Sequence, residues 1–596
     1  MVATNEGRNT NQRSTKRSRQ AAADTAATNG SAAPVPVATP TAADADSERR
    51  PPQARGVGGR EAARRIRGIA SLSDTLDVRN RLRRLGGQIQ RGGRDAQRMT
   101  FIESAIGECL DEAGTAGSQR DRWLSCEAAT WAVGWMARTR RAGGSAGSLL
   151  ERLVQAAHAG AKELAAGDTL PACFVLTLAR LFRDIEACRC LEDAAAAAVA
   201  AEIDRLVSAD GVVNLADSAA MVERVVRWTQ VREIGGLTGG PFWGDDTEGR
   251  WRAAAVVGMR LLGDEGRAFA GAGRVPACFT APLLTAVGEM GGRRRRSARM
   301  LAEGSRGGGR RRLLPRDLHD AATNVAIVRS GWEPDSLRVM LDYRDAVPRL
   351  EVAAGDRMLV QGPWGWSLTC DGHPLEAEGA WRVVGFETGR KATFLEIAAP
   401  LGGGLQLERQ LVVLPRDRIV LLADAVTAGT DDESLPLRAL EHRATLPLAP
   451  SLDAEPAAEN REVVVFDTAM RFMALPLALP EWRSAGCGGL DVASQSLVLT
   501  HQGRGALYAP LWLDCDASRV GGPLTWRQVT VADTRRTIEP RQAAGFRIQA
   551  GLRQWLLYRS LAPARNRTLL GCNVSSGFLL GRIKRSGEVA RTLEID

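Results

Sequence analysis

The hydrophobic period of this chain switches once, at the Arg- and Gly-rich segment 292–312 (GRRRRSARMLAEGSRGGGRRR), from about 3.6 residues to 2. Ahead of the switch, Leu124, Ala128, Trp131 and Trp135 share one helical face, as do Leu150, Leu153, Val154, Ala157, Ala161 and Leu164. Phe174, Leu178, Leu181, Phe182 and Ile185 repeat the pattern, and so do Ala196, Val199, Ala200, Ile203 and Val207. Between about 100 and 290 nothing reads as a strand, so the expectation is antiparallel helix pairs in a bundle, a solenoid or an α/α toroid. Beyond the switch come short runs such as RMLV, TFLEIA, LQLERQLVVL, RIVLLADAV, SLVLTH and RQWLLY, divided by Gly, Pro, Asp and Arg turns. No crossover helices separate them, which favours stacked antiparallel sheets over a parallel one.

Composition refines the boundaries. Residues 1–60 are rich in Ala, Thr, Ser, Pro and Arg without periodicity, and a segment that buries so little apolar surface cannot offset its ordering entropy. They read as a disordered basic tail. Residues 61–99 read as a basic linker in which SLSDTLDVRNRLRRLGGQI forms one amphipathic helix, capped by Ser73 or Asp74 and ended by Gly86 and Gly87. Residues 100–291 form the helical domain, 292–317 an Arg/Gly-rich linker and 318–596 the β-sandwich.

Residues 1–100 carry 19 Lys+Arg against 9 Asp+Glu while the rest carries 60 of each, so the net charge of +10 belongs to the tail and the body is neutral. The chain therefore does not read as a nucleic-acid binder, and no specific nucleic-acid motif is present. No run approaches eighteen apolar residues, and the basic start has no apolar region behind it; a membrane span and a secretory signal are both unexpected, and the chain reads as cytoplasmic. Ten cysteines without a CxxC pair read as buried free thiols, with no metal and no cofactor. There is no phosphate-binding loop and no G-x-S-x-G elbow, and GGLTGGPFWG at 235–244 follows a helix instead of a strand.

The segments VRSGWEPDS (328–336), FLEI with LQLERQLVVLPRDRIVLLADAV (394–426), and RQWLLYRSL with NRTLLG near the C-terminus give the sandwich half a resemblance to the heparinase II/III-like proteins of the polysaccharide lyase superfamily. The resemblance implies an incomplete α/α toroid followed by a large antiparallel β-sandwich, with a cleft where uronic-acid polymers undergo β-elimination. That reaction needs a group to neutralise the uronate carboxylate, a base for the C5 proton and an acid for the leaving oxygen. In such lyases the toroid typically offers Asn or His plus Tyr, and the sandwich a His. Here residues 101–300 contain no Tyr, one His (His158) and one Asn (Asn214).

The expectation is thus a catalytically degenerate relative that binds acidic polysaccharide or a protein partner. The alternatives are an active polysaccharide lyase and an intracellular scaffold using the basic tail. His442, between Glu441 and Arg443, and Tyr343 are the catalytic candidates; alternation along a strand points Glu441 and Arg443 away from the face of His442. Binding candidates are Arg443, Trp364 and Trp366 on one strand face, Trp243 from the helical side, and Asn214, which otherwise reads as the N-cap of LADSAAMVERVVRW. The arginine runs 293–296 and 310–312 either clamp sulfate or carboxylate or form a solvated linker.

Overall fold

The structure, a computed structural model, describes residues 58–596 apart from 93–95, 114–117, 139–143, 237–241, 271–272, 276, 305–312, 429–436 and 484–487. Nearly all of the tail expected at 1–60 lies outside the described residues. Residues from Pro52 onward form one compact unit.

The helices run α1 (Gly59–Ala70), α2 (Leu76–Arg91), α3 (Ala96–Ala113), α4 (Gln119–Arg138), α5 (Gly144–Ala165), α6 (Ala172–Leu181), α7 (Glu186–Arg189), α8 (Glu192–Leu206), α9 (Ser218–Gly236), α10 (Asp245–Leu261), α11 (Ala277–Glu289) and α12 (Gly292–Glu303). Helices α1, α4, α6, α9 and α11 pack one against the next, and α11 returns to α1, which makes the inner ring of a toroid. Helix α6 (ACFVLTLARL) is apolar nearly all round because neighbours cover every side, whereas α1 (GREAARRIRGIA) turns an apolar stripe inward and arginines outward.

Three expectations change, the first being that no strand lies between 100 and 290: Ala268–Ala270 and Gly273–Val275 pair as a short antiparallel hairpin. The segment expected as a basic linker with one amphipathic helix at 61–99 has that helix as α2, but α1 precedes it and α3 begins at Ala96, and Ala62, Ile66, Ile69, Leu82 and Leu85 enter the helical core. Gly86 and Gly87 do not end α2. A Cβ at Gly86 would lie 3.3 Å from the Ala63 carbonyl oxygen, so this glycine lets α1 and α2 approach closely. The helix stops at Gly92, whose φ of 57° is left-handed. Likewise, the expected linker 292–317 contains α12, which buries Ser297, Ala298 and Leu301; the run 310–312 lies outside the described residues.

The β-half is antiparallel throughout. An initial five-stranded meander (Leu318–Asp320, Val325–Arg329, Leu337–Asp342, Arg349–Ala354, Arg357–Pro363) is buried on both faces. By the two-residue period, Val325, Ile327 and Met340 join the helical core while Ala326, Val328, Val339 and Leu341 join the sandwich core. An eight-stranded sheet lies across that second core, and the five-stranded sheet containing Ala439–Pro447 shares it. The opposite face of the eight-stranded sheet packs, through Trp512 and Phe394, on a C-terminal five-stranded sheet bearing Trp526 and Trp555.

Candidate binding cleft

Polar residues on the helix-facing side of the meander tie the two halves together. The C-terminal carbonyls of α10 lack helical partners, and buried guanidiniums supply them. Arg329 donates to the carbonyl oxygens of Arg260 at 2.6 Å and Leu262 at 2.7 Å, and Arg338 donates to that of Leu261 at 2.6 Å. Burial pushes Arg338 down to about 10. At the other end of the seam, the backbone N–H of Ser218, first residue of α9, donates to the Glu351 carboxylate at 3.3 Å, and burial raises that carboxylate's pKa.

Asn214 stands in the loop between α8 and α9, exposed, and its Oδ1 accepts from Arg344. Arg344 also donates to the Leu215 carbonyl at 2.8 Å and to Asp342 Oδ1 at 2.9 Å. Asn214 is not the cap of α9. Its N–H is committed to Leu206 O at 2.8 Å, and Asp217 Oδ1 accepts from Ala220 N at 2.7 Å instead. The loop lies against α10 at Gly211, where φ is +87° and a Cβ would meet the Ala253 backbone carbon at 2.5 Å.

Tyr343 follows Asp342 and is 1% exposed. Its hydroxyl is 2.6 Å from Nε2 of the half-buried His319, and the shared proton sits on either partner according to the imidazole tautomer. Burial raises the Tyr343 pKa and lowers that of His319, the latter against the opposing charges of Asp320 and Asp210. Both groups are therefore neutral near pH 7.

Leu318, the chain neighbour of His319, and Asp210, whose charge acts on that imidazole, belong to the lining of a cleft of about 660 Å³ made also by Arg232, Arg252, Arg260 and Arg294, by Glu289, and by Trp251 and Leu314. Arg252 and Arg294 are exposed. The walls come from α9, α10, α11, α12 and the start of the meander, and cations outnumber acids four to two. A second cavity, of about 40 Å³, lies within the toroid, where Arg120 pairs with Glu223, Arg224 with Glu202 and Arg227 with Glu127. Those charges satisfy one another.

The other candidates sit elsewhere. His442 is enclosed in the sandwich core, its Nε2 2.9 Å from Asp424, which also pairs with Arg409 at 3.0 Å. No polymer reaches it, whereas Arg443 is exposed on the opposite strand face, as the alternation predicts. Trp364 is 3% exposed and stacks on Arg409 at 4.3 Å; Trp366 is half-buried against the same core. Trp243 is 6% exposed and packs on Trp251 with ring centroids 6.4 Å apart. Of the residues singled out in the sequence, the structure brings Arg294, from the run 293–296, into the cleft wall and ties Asn214 to Arg344, next to Tyr343, at the seam; His442, Arg443, Trp364, Trp366 and Trp243 lie in the core or on remote strands. Arg232, Arg252 and Arg260 were not legible as a group, because their convergence depends on how α9 and α10 pack. Among the described residues, no group of three or more His, Cys, Asp or Glu side chains has the arrangement to hold a metal ion, and no helix is long and apolar enough to cross a membrane.

In structure the chain is similar to a mutant of the heparan sulfate lyase HepC from Pedobacter heparinus, with a TM-score of 0.50 and 10% identity over 87% of this chain and 92% of that one. The chain has the heparinase fold. A heparinase III is similar at 9% identity with a TM-score of 0.49, covering 84% of each chain. No family model and no curated protein matches the sequence. Within this heparinase-like fold, the arginine-lined cleft lies where the toroid meets the sandwich half.

Proposed function

We propose that this chain binds an acidic polysaccharide in the arginine-lined cleft and does not cleave it. The observation that carries this reading is the convergence of Arg232, Arg252, Arg260 and Arg294 on one open cavity of about 660 Å³. A guanidinium presents a planar fork of donors suited to sulfate and carboxylate, and several of them in one concavity raise the local concentration of a polyanion. Similarity in fold to a heparan sulfate lyase agrees with such a ligand. Elimination finds less support: Tyr343 is shut off from solvent with its pKa raised, which keeps it in the phenol form that cannot act as a base, and no tyrosine lies between residues 101 and 300.

A second reading, an active lyase, is favoured by one observation, the 2.6 Å contact between His319, which follows the cleft-lining Leu318, and Tyr343. Titrating heparan sulfate at several salt concentrations tests the first reading. The Arg252→Ala/Arg294→Ala double variant should bind about tenfold or more weakly and with a shallower salt dependence. Binding unchanged in that variant would overturn it. Prolonged incubation should give no rise in the ultraviolet absorbance of an unsaturated uronate; a rise abolished by His319→Ala would establish the second reading.

A further inference from the structure

We infer that Glu248 determines which anions the cleft accepts, an inference that rests on the polysaccharide-binding reading above. Glu248 lies in the first turn of α10, where the helix N-terminus favours a carboxylate. Its Oε1 accepts from Arg232 Nη2 at 2.9 Å and from Arg252 Nε at 3.1 Å, and its Oε2 accepts from Arg232 Nε at 2.9 Å. One carboxylate thus holds two guanidiniums carried by different helices, α9 and α10. Arg232 is fixed further by lying 4.3 Å from the centroid of Trp251, whose Nε1 donates to Thr229 Oγ1 at 3.2 Å.

Arg232 and Arg252 line the cleft and Glu248 does not; its side chain is 18% exposed. It holds both guanidiniums, and among the described residues Nη1 of Arg232 and both Nη groups of Arg252 are left for a ligand. Two effects of opposite sign follow. The negative charge of Glu248 weakens the attraction of the cleft for any polyanion, whatever its shape. Holding the two arginines in one geometry spares a ligand the cost of ordering them, but only a ligand whose anionic groups match their spacing. Discrimination between polyanions arises from the difference between these effects.

The experiment compares a heparan sulfate octasaccharide with inorganic polyphosphate of similar charge, by calorimetric titration at two salt concentrations. In Glu248→Gln, polyphosphate should bind several-fold more tightly while the octasaccharide does not, so that the ratio of affinities falls by about tenfold. Glu248→Asp keeps the charge but shortens the reach; it should lose the discrimination without any change in salt dependence. Glu186→Gln on α7, which removes the same charge from a site 86% exposed on its side chain, should leave the ratio as it is. Equal tightening of both probes in Glu248→Gln, with wild-type discrimination in Glu248→Asp, would reduce Glu248 to a local charge and overturn the inference. If octasaccharide binding is also indifferent to Arg252→Ala/Arg294→Ala, the polysaccharide reading falls and takes this inference with it. If the double variant weakens binding while Glu248→Gln shifts both probes alike, only the inference falls.

Discussion

Arg338 Nη1 donates to the carbonyl oxygen of Leu261, the last residue of α10, at 2.6 Å. Because Arg338 belongs to a meander strand and α10 forms a wall of the cleft, this bond fixes the cleft to the sandwich half. Arg338→Met should leave that carbonyl and the one of Gly355 unpaired in the interior and destabilise the protein by about 2–4 kcal/mol. The midpoint of urea unfolding measures it, and an unchanged midpoint would show that water replaces the guanidinium.

His319 gives the stability a defined dependence on pH. Burial lowers its pKa below the ordinary 6.5, so the unfolded chain takes up a proton that the folded one resists. The contribution is complete above pH 6.5 and is lost as pH falls from there through the folded-state value. Between pH 7.5 and 5.5 the melting temperature should drop further in the wild type than in His319→Gln. Equal drops would remove His319 from the account.

Two glycines separate conformational strain from crowding. Gly211→Ala puts a methyl group 2.5 Å from the Ala253 backbone carbon at a φ of +87° and should cost about 2 kcal/mol or more while lowering affinity for heparan sulfate, because Asp210 and Ala253 both line the cleft. Gly92→Ala, at a φ of +57° with nothing within 4 Å, should cost about 1 kcal/mol and leave affinity unchanged. Chemical denaturation and titration of both variants check the pair.

His442→Ala should leave heparan sulfate binding untouched, since its side chain is 0% exposed, and yet destabilise the fold by about 2–4 kcal/mol. The loss has two parts, the cavity left by the ring and one fewer partner for Asp424. The Arg409 charge, then the His442 hydrogen bond, hold the Asp424 carboxyl below its ordinary 3.8 against burial. That stabilisation is present above pH 3.8 and disappears as pH falls through the lowered value. Unfolding curves of wild type and variant beside binding isotherms test both halves of this expectation.

The sequence made the inner helices readable because residues such as Phe174, Leu178 and Phe182 follow one period, and it made the sheets readable because their period differs. Helix α1 escaped notice. Its buried stripe of Ala62, Ile66 and Ile69 alternates with arginines that dominate a charge count, and its role as a ring member depends on packing with α4 and α11. Alternation correctly separated His442 from Arg443, but Asp424, the partner that explains the histidine, lies on another strand. At the cleft the local signals are the arginine run 293–296, which supplies Arg294, and the Glu248–Arg252 spacing of four residues; Arg232 joins them through tertiary structure alone.

The initial meander is a party wall. Helices lean on one side of it and sheets on the other, and Arg329 and Arg338 bolt it to α10. Neither half is a transferable module, because a cut near residue 317 would strip Val325, Ile327 and Met340 of their cover on one side and the toroid of its floor on the other. Insertions, fusions and truncations therefore have to respect a single indivisible body, and a ligand in the arginine cleft meets an α10 wall that Arg329 and Arg338 anchor to the sandwich half.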